Sequence, residues 1–158
     1  MKAMTIAKFI IAIGLPLLVG YTSSFFTMPA VEGWYTTIKK PSWNPPDAVF
    51  GPVWTLLYIM MGVALFLVWL RPATLQRTIA SIWFAVQLVL NFFWSFIFFD
   101  QHQIGWALVE IVLLWLAILC TIFAFARVSK PAAWLLVPYI SWVSFATILN
   151  YSIFKLNS

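Results

Sequence analysis

The chain has 158 residues, 64% hydrophobic and only 8% charged, with a formal net charge of +5. Soluble domains carry about 25% charged residues, and a chain this short cannot bury so much apolar surface and still face water with polar groups, which excludes an ordinary soluble domain. The nine Lys and Arg lie mainly at the ends of apolar runs rather than on one clustered face, which fits headgroups and topology and excludes nucleic acid as a partner.

The lipid bilayer is the remaining solvent, and a helix crosses its apolar layer in about 20 residues. The first apolar run, about 9–28, follows Lys2 and Lys8. It is longer than a signal-peptide core, contains Gly14, Pro16 and Gly20, and lacks a small-x-small cleavage pattern, so it reads as a first membrane helix. Residues 29–49 form the longest polar connection. Pro41, Pro45 and Pro46 disfavour helix there, while Trp34, Tyr35 and Trp43 are unlike a plain linker and predict a loop folded onto the rest of the protein.

A second helix is predicted over 50–70, stopping at Arg71-Pro72, and a third over 78–99, ending before Asp100, Gln101 and His102. The fourth covers 104–126. The fifth covers 131–154, opening on Pro131, with Pro138 placed to kink it. The expected fold is therefore all-α: one polytopic domain over 1–158, a bundle of five transmembrane helices with a capping loop. Lys2, Lys8, Arg71, Arg77, Arg127 and Lys130 share one side against Lys39, Lys40 and Lys155 on the other, which predicts a cytoplasmic N-terminus.

Motifs for catalysis and metal binding are lacking: there is no phosphate-cradling glycine loop, no HExxH and no paired carboxylates. The lone Cys120 excludes an intrachain disulfide and a multi-cysteine metal site. His102 reads as an interfacial loop residue, and no cofactor is expected. Glu110 stands inside the fourth helix, where a carboxylate costs about 2.5–3.5 kcal/mol at mid-membrane, so it is either bonded near the interface, protonated, or functional.

The aromatic residues carry more information. Belts at the headgroups explain Trp69, Trp106 and Trp134 near helix ends, but not the deeper Trp54, Trp94, Trp115 and Trp142. Trp54 and Tyr58 share a face of the second helix, Gln87, Asn91 and Ser95 a face of the third beside Trp94, and Trp142, Ala146 and Asn150 a face of the fifth. Amides inside lipid must find partners. Two readings follow: hydrogen-bonded glue between helices, or a pocket of aromatic rings with a few polar anchors for a flat, mostly apolar ligand.

Three blocks then carry a resemblance: WYTTIKKPSWNPPDAVFGPVWTLLY (Trp34–Tyr58), QLVLNFFWSFIFF (Gln87–Phe99) and AAWLLVPYISWVSFATILN (Ala132–Asn150). In order and spacing the chain resembles the translocator proteins, also called tryptophan-rich sensory proteins or peripheral-type benzodiazepine receptors. The resemblance implies a five-helix bundle, commonly a homodimer, that binds porphyrins, sterols and drug-like ligands under its first loop. It places Tyr35, Trp43 or Pro45, Trp54, Asn91, Trp94, Trp142 and Ala146 at the pocket, with Tyr58 on the Trp54 face and Leu149 adjoining. It also implies a sterol-recognition segment through Leu149, Tyr151 and Lys155, which an interfacial tyrosine and a snorkelling lysine explain equally well. Phe154 stands where many members have Trp.

The function that the resemblance implies for these residues is a receptor or sensor for protoporphyrin-type tetrapyrroles. The ring would stack on Trp54 and Trp142, Asn91 would donate hydrogen bonds, and Lys39 or Lys40 would attract a propionate. Transport of porphyrins or sterols, and light- or oxygen-dependent porphyrin breakdown, are the alternatives.

Overall fold

Helices are the only regular elements among residues 2–158, which the computed structural model describes. They are α1 (Lys2–Glu32), α2 (Trp34–Thr37), α3 (Asp47–Trp69), α4 (Leu75–Ser95), α5 (Ile104–Ala126), α6 (Lys130–Leu135) and α7 (Val137–Asn157), with α4 running on through a wider π-helical turn over Phe96–Asp100. Five stretches are long and apolar enough to cross a membrane: Lys2–Thr37, Asp47–Trp69, Leu75–Asp100, Ile104–Ala126 and Lys130–Asn157. The all-α, five-span architecture is as expected.

The boundaries differ where local chemistry decides them. Helix α1 begins at Lys2 and passes through Pro29, which had marked the start of the loop. Tertiary packing overrides the proline: Phe26 meets Phe92 and Phe96 edge-on, and the Pro29 carbonyl accepts from Gly33 N–H at 3.0 Å to close the last turn. Helix α4 starts at Leu75 rather than 78 because the Thr74 hydroxyl caps Arg77 N–H at 3.2 Å. The last span is two helices. Pro138 cannot donate to the carbonyl of residue 134 and its ring crowds it, so α6 stops at Leu135 and Pro138 sits in the first turn of α7.

Packing is inverted relative to a soluble protein. Ile10, Leu18 and Phe25 on α1 and Val109, Leu113 and Leu116 on α5 are exposed, as lipid-facing residues should be. Helix α1 lies on α3, α5 packs against α4 and α7, and α3 meets α6. The α1–α3 crossing is close because of two glycines. A Cβ on Gly62 would stand 2.7 Å from Ile13 Cα and 2.8 Å from the Ala12 carbonyl oxygen, and one on Gly20 would stand 2.5 Å from the Tyr58 ring. Small residues of this kind let membrane helices approach, where dispersion rather than the hydrophobic effect holds them. At the far end of the pair Lys8 donates to the Trp69 carbonyl at 3.1 Å, a cation at a helix C-terminus.

The buried amides are mostly satisfied. Tyr58 Oη donates to Asn91 Oδ1 (2.6 Å), Asn91 Nδ2 to Tyr139 Oη (3.0 Å), and Tyr139 Oη to Gln87 Oε1 (2.7 Å), a relay joining α3, α4 and α7. Trp94 Nε1 donates to Asn150 Oδ1 (3.1 Å) and Asn150 Nδ2 to the Ile104 carbonyl (3.0 Å), tying α4, α7 and α5. Glu110 differs: it is 7% exposed and neither carboxyl oxygen has a partner among the described residues. An orphaned buried polar group costs about 1–3 kcal/mol. Glu110→Leu is therefore expected to stabilise the detergent-solubilised protein by about that amount, raising its thermal midpoint; an unchanged or lower midpoint would mean that the carboxyl is bonded in the membrane.

Candidate ligand cavity

A cavity of about 950 Å³ lies between α1, α2, α3, the end of α4 and α7. It forms because α1 and α3 are pinned together near Gly62 and Gly20, while α7 is held by α5 and α6 rather than drawn onto α1. Each helix contributes one face. Trp142, Ala146, Leu149, Asn150 and Ile153 of α7 follow the three-to-four-residue helical period, as do Trp54 and Tyr58 of α3. Trp94, Ser95, Phe98 and Phe99 come from the end of α4 and its π turn, whose wider coil keeps both phenylalanines on the wall.

The rings stand in a graded stack: Trp54 is 5.6 Å from Tyr58 and 6.4 Å from Trp94, each at 31°, and Trp94 is 5.5 Å from Phe98 at 29°. Trp142 meets Phe50 edge-on at 6.0 Å and Phe145 at 5.4 Å. Such walls offer flat faces with little hydrogen-bonding demand. Two wall residues keep buried polar atoms without a partner among the described residues, Ser23 Oγ and Trp142 Nε1. Among the described residues, the carboxylates on the wall are Glu32 and Asp47, both exposed.

One end is closed by α2 and the loop behind it. Tyr35, 3% exposed, lines the cavity and donates from Oη to Asn44 Oδ1 at 2.8 Å. Trp34 stacks on His102 at 4.3 Å and 12°. Asn157 at the end of α7 receives the Lys39 N–H (3.0 Å) and donates to the Lys39 carbonyl (2.8 Å), so the loop is fastened to α7. His102, expected only as an interfacial residue, is thus the platform on which the cap rests.

Of the residues expected at a pocket, Tyr35, Trp54, Tyr58, Trp94, Trp142, Ala146 and Leu149 are brought together on this wall. Asn91 is not. It stands one layer behind, 1% exposed, with its amide committed to Tyr58 and Tyr139. Trp43 is 46% exposed and edge-on to Phe145 at 5.8 Å outside the wall, and Pro45 lies in the loop, its carbonyl accepting from Asn44 Nδ2 at 3.0 Å. Tyr151 is exposed with the Lys155 ammonium 5.6 Å from its ring centre, an interfacial pair away from the cavity. Neither Lys39 nor Lys40 is on the wall; the Lys40 ammonium bonds the Tyr35 carbonyl and sits 4.5 Å from that ring's centre.

Sequence reasoning missed the part played by α1: Gly20, Ser23, Ser24 and Thr27 line the cavity. Their signal is a stripe of small and hydroxyl-bearing residues at helical spacing within an otherwise bulky apolar run.

Comparison with known proteins finds matches along most of the chain. The model of the TspO/MBR family matches residues 12–156. A tryptophan-rich protein TspO from Chlorobaculum tepidum is 51% identical over 151 residues, covering 93% of this chain and 94% of that protein. One from Archaeoglobus fulgidus is 39% identical over 155 residues, covering 98% and 100%. The human translocator protein is 44% identical over 126 residues, covering 78% of this chain and 75% of its own.

Proposed function

Since the chain belongs to the TspO/MBR family and is a multi-pass membrane protein, we propose that it is a membrane receptor or sensor for flat, largely apolar ligands. Porphyrin-type tetrapyrroles are the first class to test, and sterols or drug-like molecules the next. The observation that supports this reading is the cavity itself: about 950 Å³ walled by Trp54, Trp94 and Trp142 and capped by Tyr35. Its size is at the upper end of the roughly 300–1,000 Å³ of small-molecule sites. The interior rings supply stacking surface, and Trp142 Nε1, buried with no partner among the described residues, would supply one donor to a ligand that reaches it.

The test is an absorbance titration of detergent-purified protein with metal-free protoporphyrin. Saturation at one ligand per chain is expected. Trp142→Phe keeps a ring but removes the N–H, so affinity should fall about fivefold, the worth of one hydrogen bond. Unsaturable partitioning, indifferent to this substitution, would refute the reading.

Transport is the second reading. Tyr21 and Met28 line the cavity and yet are 64% and 61% exposed, so the wall continues to the outer surface of α1. Porphyrin or sterol flux into sealed vesicles, carried by the protein, separates carrier from receptor. The Lys and Arg excess beside the N-terminus and beside the α3–α4 and α5–α6 connections supports a cytoplasmic N-terminus.

A further inference from the structure

We infer that the cap over the cavity tightens as pH falls, because a protonated His102 holds the Trp34 ring, and α2 with it, more firmly than a neutral one. What this does to a bound molecule rests on the cavity being the ligand site, as proposed above; the response of the cap itself does not.

His102 is the chain's one histidine, and histidine is the side chain that ordinarily changes charge between pH 5 and 8. The backbone fixes its place. Its φ of 54° lies in the left-handed region, alone among the described non-glycine residues. On either side of it Gln101 N–H bonds the Phe96 carbonyl and Gln103 N–H the Ile97 carbonyl, both at 3.0 Å, which turns the chain back onto the π turn. From this corner the imidazole lies flat on the Trp34 indole, 4.3 Å between centres and 12° between planes. Phe98 meets the same indole edge-on at 5.6 Å. Trp34 is the first residue of α2, so whatever grips its ring grips the cap.

A cation within about 6 Å of an aromatic face is drawn to its negative centre, most strongly by Trp, and at exposed sites this shifts an equilibrium about two- to fivefold. A neutral imidazole has only the stacking. The cap holds one such contact permanently, the Lys40 ammonium 4.5 Å from the Tyr35 ring centre; His102 adds a second that exists only when it is protonated. Closure is therefore favoured where the imidazolium forms, and the added hold is lost as pH rises through the histidine range. The charged groups of the surrounding segments are Asp100 on the π turn, bonded by Gln101 Nε2, Glu32 at the end of α1, and Lys39 and Lys40 after α2. Within α2 the one ionisable group is the Tyr35 phenol, bonded to Asn44. Carboxylates, ammonium groups and phenols ordinarily titrate outside pH 5.5–8, which leaves the imidazole as the switch.

The experiment is hydrogen exchange of the full-length, ligand-free protein in a neutral detergent, read over residues 33–40 and corrected for the intrinsic effect of pH. Two amides there mark closure, Thr36 N–H on the Gly33 carbonyl and Lys39 N–H on Asn157. Protection is expected to be about two- to fivefold higher at pH 5.5 than at pH 8. His102→Asn tolerates the left-handed backbone but cannot titrate, and should be protected equally at both. His102→Arg, always charged and able to stack on a ring, should also be equal at both, and better protected than the Asn variant. Trp34→Leu, which keeps the histidine and removes its partner, should abolish the pH dependence as well. Protection of α5 in the same samples reports that each variant is folded. Equal protection at both pH values in the unmodified protein overturns the inference, as does a pH dependence that survives in His102→Asn or Trp34→Leu. Either result leaves the ligand reading standing, because the protoporphyrin titration decides that separately.

Discussion

Asn91→Ala is expected to destabilise the bundle by about 3 kcal/mol, measured as a shift of the unfolding midpoint in detergent, with ligand affinity falling only as a consequence. Asn91 is the middle of the relay from Tyr58 through Tyr139 to Gln87. Truncation orphans the Tyr58 hydroxyl proton and one lone pair of the Tyr139 oxygen on two buried side chains, each loss costing about 1–3 kcal/mol, and leaves a small void as well. Removing a single interhelical hydrogen bond in a membrane protein is milder, about 0.6 kcal/mol on average. Tyr58→Phe, which also leaves Asn91 Oδ1 without its donor, should therefore fall between that figure and the loss for Asn91→Ala. The order distinguishes an interior strut from a ligand contact: a variant at Asn91 that keeps its stability but loses binding would put this amide against the ligand instead.

Gly62→Val should be comparably damaging for the opposite reason. Overpacking costs about 1–3 kcal/mol where neighbours can give way, but here the first added carbon already meets backbone, Ile13 Cα at 2.7 Å and the Ala12 carbonyl at 2.8 Å. The only relief is to lift α1 from α3, which also widens the cavity. Gly51 and Gly14 provide the internal control, since a Cβ at either meets nothing within 4 Å. Gly51→Ala and Gly14→Ala should leave the midpoint unchanged or raise it slightly, because alanine is the better helix former by about 1 kcal/mol. If all three glycine variants behave alike, the α1–α3 crossing is looser than described.

The spans and the aromatic faces were legible because they depend on local composition and helical period alone. Five apolar runs give five spans, and Trp142, Ala146 and Asn150 share a face whatever that face meets. What could not be read is which of two adjacent layers a polar residue occupies. Ser95 and Asn91 are one turn apart on the same helix, yet Ser95 reaches the wall and Asn91 is enclosed by two tyrosines. The lysines of the loop misled for a related reason. Their charge is visible in the sequence, but the carbonyl that captures Lys40 is defined only once α2 has formed. The contribution of α1 was obscured by its bulky lipid-facing side chains, which dominate the run while Gly20, Ser23 and Thr27 do the inward work.

The fastening of the cap has a kinetic meaning. Tyr35 to Asn44, Lys39 to Asn157 and Trp34 over His102 are separate small contacts, the second of them at exposed positions, so each can break without the bundle unfolding. Opening α2 requires them to fail together, so the capped end of the cavity is held shut cooperatively, whereas the α1 side is exposed at Tyr21 and Met28. For the ligand site proposed above, loosening the cap would then speed exchange through that end alone and leave the α1 side as it is.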